Sequence, residues 1–122
     1  MTTKTPKPSL DQQRAAYAWK KVQCYDSDYT KLAKGAPALI MNNGLMQTLA
    51  YYEDKGKKHH LALNQHLIDW LACYLTGKEN VTVPFSLMMD SLQKTNSQKY
   101  RKATEETLAL LRWIRQFAAI NQ

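Results

Sequence analysis

His59, His60 and His66, with Cys24 and Cys73, are the first side chains to test for metal or nucleophilic chemistry. His59 and His66 lie seven apart, so on one continuous helix they share a side, and Cys73 continues that line. Seven helical residues rise about 10 Å, too far for one ion to bridge. Adjacent His59 and His60 point apart on a helix, and no carboxylate pair stands beside them at metal spacing. The two cysteines are 49 residues apart, form no metal motif, and read as reduced structural thiols. No Ser/His/Asp, Cys/His or paired-carboxylate set converges. The expectation is no metal, no cofactor, no catalytic residue, and histidines at the surface or rim.

The basic residues offer a different chemistry. Seventeen Lys and Arg stand against ten Asp and Glu, a formal charge of +7 and a pI near 9.5. That excess suits a polyanionic partner: nucleic acid, an acidic protein or an anionic membrane. Thirteen of the seventeen are Lys, which meets phosphate as a compact point charge. Most helical lysines only solvate an outward face, and Lys20, Lys21, Lys31 and Lys34 can be read that way. Against this, Lys31 and Lys34 share a face with Ala38 and no acid. Lys57 and Lys58 cluster with Lys55 beside two histidines, and Arg101, Arg112 and Arg115 share the outer face of the last helix with Glu105 and Gln116. Phosphate contact needs only positive charge at strand spacing, without base-specific geometry.

Aromatic side chains could stack on nucleobases. Trp19, Trp70 and Tyr74 fall within apolar stripes and are expected in the core. Trp113 at a stripe's edge and Tyr17 outside one remain as stacking or subunit-contact candidates. Met46, Met88 and Met89 read as core or interface filler.

Helices must position these groups. The chain has 122 residues, only 4 Gly and 4 Pro, and 44% hydrophobic residues, which fits one globular domain and lacks the turn residues of an all-β fold. Residues 1–8 read as a disordered basic tail, with Pro6 and Pro8 blocking regular structure, and 9–122 as one helical domain. Ser9 and Gln12 have capping-box spacing, and Ala15, Ala18, Trp19 and Val22 then form one stripe. Asp26-Ser27-Asp28 supplies the next cap, and Tyr29, Leu32, Ala36, Leu39 and Ile40 stay in phase across Gly35 and Pro37, predicting one kinked helix. Further helices are predicted at 45–53, 60–76 and 85–93, and the longest from near Asn96 or Ser97 to about Ile120. The last spans about 35 Å. The fold class is an all-α, compact bundle of five to six helices, one domain and no sheet. The longest apolar run, at 36–41, falls far short of the roughly 20 residues that span a bilayer, and no signal-peptide core opens the chain. A cytoplasmic location is expected.

Three stretches together carry a family resemblance: Ala15-Ala16-Tyr17-Ala18 into Lys20-Lys21-Val22, Tyr29-Thr30-Lys31-Leu32-Ala33-Lys34 into Pro37-Ala38-Leu39-Ile40-Met41-Asn42-Asn43-Gly44-Leu45-Met46, and Tyr100-Arg101-Lys102-Ala103 through Leu110-Leu111-Arg112-Trp113-Ile114-Arg115-Gln116-Phe117-Ala118. In order and spacing the chain resembles the small subunit of the Cmr complex, the type III-B CRISPR effector that destroys RNA matching its guide. Residues 53–62 and 76–96 do not carry the likeness. The resemblance implies an all-helical protein without enzymatic activity, several copies of which stack beside the guide-binding backbone subunits. It implies contact with target RNA, with the guide RNA complex, and with the large polymerase-like subunit.

The expected function is thus a non-catalytic RNA-binding subunit of a ribonucleoprotein, with Lys20, Lys21, Lys31, Lys34, Lys57, Lys58, Arg112 and Arg115 as the RNA-binding candidates. The alternative is a helical module for an acidic protein partner, without RNA contact. A helix-turn-helix DNA regulator ranks lower, because no short turn joins two helices that expose a recognition face. The purified chain is expected to cleave neither RNA nor DNA, with or without divalent metal. Metal-dependent nuclease activity that co-elutes with the protein would refute this.

Overall fold

N-cap side chains set where three of the six described helices begin. The structure, a computed structural model, describes residues 6–23 and 25–121, so Cys24 and most of the expected tail lie outside the described residues. Residues 6–8 are exposed and carry no regular structure. Helix α1 (Leu10–Lys21) starts from the predicted capping box: Ser9 Oγ accepts from the Gln12 N–H at 3.1 Å and Gln12 Oε1 from the Ser9 N–H at 2.7 Å. Helix α2 (Ser27–Asn43) is capped by Asp26 and runs unbroken through Gly35 and Pro37. Gly44 then turns the chain with φ +90°, a conformation that favours glycine.

Helix α3 (Leu45–Lys55) has no capping side chain of its own, but the Tyr100 hydroxyl accepts from its Met46 N–H at 3.0 Å. Helix α4 (Lys58–Thr76) begins two residues earlier than expected and ends at Gly77. Residues 81–84 form an arm without regular structure, held by the Gln65 amide donating to the Val83 carbonyl at 2.9 Å. Helix α5 (Phe85–Lys94) and helix α6 (Ser97–Ile120), capped by Asn96, complete the chain. Six helices and no strand are found among the described residues.

Helix α6 packs mainly on α2 and α1 and also touches α4, while α5 rests on α4 and α3. The predicted stripes supply most of the core: Ala18 and Val22; Tyr29, Ala36 and Ile40; Leu45, Leu49 and Tyr52; Leu63, Leu67, Trp70 and Leu71; Ala103, Leu110, Leu111 and Ile114. One polar cluster sits among them. Glu106, only 4% exposed, accepts from Arg14 at Oε2 (2.6 Å, from Nε) and Oε1 (2.7 Å, from Nη2). Oε2 also accepts from Trp70 Nε1 at 2.9 Å, so one carboxylate joins α6, α1 and α4.

Four expectations need correction. Trp19 is 46% exposed, because α1 turns Ala18 and Val22 inward and leaves the indole edge-on against Phe117. Tyr74 is exposed together with Leu75 and Thr76: the last turn of α4 extends past its packing partners. The histidines are not all at the rim. His66 is 8% exposed and bonds to Tyr29 Oη through Nδ1 at 2.8 Å, and His60 is buried against Tyr52. Lys21 is half-buried, its Nζ 5.4 Å from the centroid of the Tyr17 ring.

Replacing Glu106 with Ala is expected to cost about 3 kcal/mol, since it leaves the Trp70 N–H unpaired and a largely buried guanidinium with Asp11 as its remaining partner. Glu106→Gln should lose less, because it can still accept from Trp70; urea denaturation measures both. Burial, and then the positive charge of Lys21, push the His66 pKa down from 6.5 to about 4. The rings of Tyr25 and Tyr29 pack against it, and Lys21 is the charged group that acts on it. Below pH 6.5 the unfolded chain takes up a proton that the folded one refuses, so stability falls as pH falls. Between pH 7 and pH 5 the loss should reach about 2 kcal/mol, a range in which ordinary carboxylates stay mostly ionised. His66→Gln should remove that part of the slope; identical pH profiles for the two proteins would contradict it.

Candidate nucleic-acid interface

The outward faces of α2 and α6 meet along a seam. On α2 the inward residues Ala33, Ala36 and Ile40 leave Lys31 and Lys34 exposed, as their spacing predicts. On α6 the inward residues Leu111, Ile114 and Ala118 leave Arg112, Arg115 and Gln116 exposed. The Thr30 hydroxyl, donating to the Ala118 carbonyl at 3.3 Å, ties the two helices together. Lys34, Arg112, Arg115, Gln116 and Ala119 then line one open depression of about 340 Å³.

The depression contains three cations and an amide, and no carboxylate lines it. Among the described residues, Arg14 makes the only ion pairs within 4.0 Å, so Lys34, Arg112 and Arg115 are uncommitted. Asp11 accepts from Trp113 Nε1 at 3.0 Å and from Arg14 at 3.0 Å. Those two donors, Trp113 first, hold its carboxyl below the usual range, and the charge of Arg112 adds to the effect. Guanidinium forks with an adjacent ammonium can hold phosphate oxygens by charge and by paired hydrogen bonds.

The other basic candidates do not join this group. Lys20 is exposed on the last turn of α1. Lys21 lies over Tyr17, whose hydroxyl donates to the His66 carbonyl at 2.6 Å, and so belongs to the α1–α4 side. Lys57 and Lys58 are exposed at the α3–α4 corner. There burial first, then His59, Lys55 and Lys57, hold the His60 pKa down. Sequence reasoning placed Lys34 and the two arginines on the outer faces of separate helices and named all three as RNA-binding candidates. Nothing in the sequence signals that α2 and α6 are neighbours, so their convergence is a tertiary fact.

On the α1 side of α6 runs a row of aromatic rings. The Trp113 and Phe117 centroids are 5.4 Å apart, and Phe117 and Trp19 are 5.1 Å apart. Tyr17, the other stacking candidate, packs against Trp70 at 5.0 Å under Lys21. Among the described residues no three His, Cys, Asp or Glu side chains group in a way that could hold a metal ion. No described helix is long and apolar enough to cross a membrane.

Comparison with known proteins supplies the family. Residues 10–121 match the family described as CRISPR-associated protein (Cas_Cmr5). The chain is 29% identical over 91 residues to the CRISPR system Cmr subunit Cmr5 of Thermus thermophilus, covering 75% of this chain and 72% of that protein. Its fold is similar to the crystal structure of a CRISPR-associated Cmr5 family protein, also from Thermus thermophilus. The TM-score is 0.74 and the identity 24%, over 93% of this chain and 97% of the other. A match that begins at the first residue of α1 and ends one residue past α6 takes in the whole bundle, and the protein belongs to the Cas_Cmr5 family.

Proposed function

We propose that this chain is a non-catalytic small subunit of a Cmr ribonucleoprotein that steadies the target RNA strand by charge. The observation that carries the reading is the α2–α6 depression, in which Lys34, Arg112 and Arg115 converge without a carboxylate partner. Lys31, exposed one turn before Lys34, extends it along α2. Contacts of this kind ignore base identity, which suits a subunit that must accept any target sequence. Lys20, Lys21, Lys57 and Lys58 fall to a secondary role, as separate points of positive charge.

The family name and the Cmr subunit relative support assembly with other Cmr subunits. Exposed apolar side chains supply a second type of surface for that assembly. Met41 is 75% and Ile120 61% exposed, and Leu87 on α5 is exposed as well. Such residues suit stacking between copies or contact with the large and guide-binding subunits. The protein-only alternative assigns the positive charge to an acidic partner subunit instead.

Salt dependence separates the two readings. Target-RNA affinity of the assembled complex is measured at several salt concentrations, for wild type and for Lys34→Ala/Arg112→Ala/Arg115→Ala. Each lost phosphate contact should flatten the log–log slope by about 0.7, about 2 for all three. An unchanged slope in a variant that still assembles would favour the protein-only reading.

A further inference from the structure

The aromatic row on the α1–α6 seam has no role in the fold that requires its exposure. Trp70 is buried and Tyr17 half-buried against it, whereas Trp19 keeps nearly half of its surface in solvent. Trp113 and Phe117 are half-buried beside it. The indole of Trp113 is also fixed: its Nε1 donates to Asp11 Oδ1, which Arg14 holds in turn. A flat ring held in place by hydrogen bonding, and open on part of its surface, loses little freedom when another flat ring lies on it. Charge surrounds the row. Arg112 and Gln116, the neighbours of Trp113 and Phe117 in the chain, belong to the basic depression, and exposed Lys20 follows Trp19. One acid stands against the row: Asp11 takes the Trp113 and Arg14 bonds on Oδ1 and stays exposed. Arg14 is shared with Glu106, so the cations of the borders outnumber a single net negative charge.

We infer that Trp113, Phe117 and Trp19 form a stacking platform for unpaired nucleobases of a single strand whose phosphates lie in the adjoining α2–α6 depression. The inference rests on the RNA reading above and deepens it, adding base contact to phosphate contact. Stacking is indifferent to sequence, since every base has a π-face, so it keeps the tolerance that reading requires. A nonpolar protein partner would have no use for the cations on both borders of the row. A single-stranded polyanion with flat bases matches both features.

The test compares an oligoadenylate of fixed length with an abasic strand carrying the same sugar-phosphate backbone, each titrated against the isolated full-length protein. The base-containing strand should bind about tenfold more tightly, the equivalent of one stacked base, and should quench tryptophan fluorescence. Trp19→Leu/Trp113→Leu should bring its affinity down to the abasic level while leaving abasic binding unchanged. Trp19→Phe/Trp113→Phe should restore the preference. Equal binding of the two strands by wild-type protein overturns the platform but leaves the phosphate reading intact. Binding of neither overturns the RNA reading, and the platform with it. A leucine variant that keeps its base preference yet fails to enter the Cmr complex would make the row a protein seam instead. The wild-type comparison needs no variant, so it decides the matter even if the substitutions disturb folding.

Discussion

A carboxylate buried in the middle of a helical bundle is unfavourable unless charge and hydrogen bonds meet it from several sides. Glu106 is in that position, and Arg14 and Trp70 meet it. The pairing fixes more than distance. It sets the rotation of α1 about its own axis, because the Arg14 side chain must point at α6. With that rotation Ala18 and Val22 face inward, Asp11 comes within reach of Trp113, and Trp19 is carried to the seam. On α6 the same constraint directs Glu106 inward and leaves Arg112, Arg115 and Gln116 outside. The surface chemistry of the α6 side therefore follows from one buried ion pair.

Much of the scaffold was legible in the residues. The Ser9, Asp26 and Asn96 caps, the in-phase stripe across Pro37 and the glycine stops gave helices whose limits agree with the structure to within about two residues. These signals are local, and local signals survive without knowledge of neighbours. Trp19 and His66 were misplaced for the opposite reason. A helical stripe reveals which face is apolar, but not where its edge stops being covered. His66 occupies the margin of its stripe, and only the arrival of Tyr29 and Tyr25 from α2 and its approach encloses it. Glu106 carries no local signal of its burial, because its partners lie 92 and 36 residues away.

The candidate site was legible only in part. The exposure of Lys31, Lys34, Arg112 and Arg115 followed from periodicity, whereas their grouping depended on which helices pack together. The family resemblance carried by the first, second and last helices picked out the same three elements that build both the depression and the aromatic row. With almost every cation unpaired among the described residues, the charge excess contributes little to the fold. It remains available to the surface.

The pairing of α1 with α6 joins the two ends of the chain. Asp11 bonds Trp113 across 102 positions, and Arg14 bonds Glu106 across 92. On the ribosome, the apolar sides of α1 and α2 are made first and wait longest for the helix that covers them. The α2–α3–α4 hairpins can form early from neighbouring contacts, but the bundle closes only after the final helix has emerged. Closure therefore waits until α6 itself has been made, and a chain cut short before α6 keeps the apolar sides of α1 and α2 open.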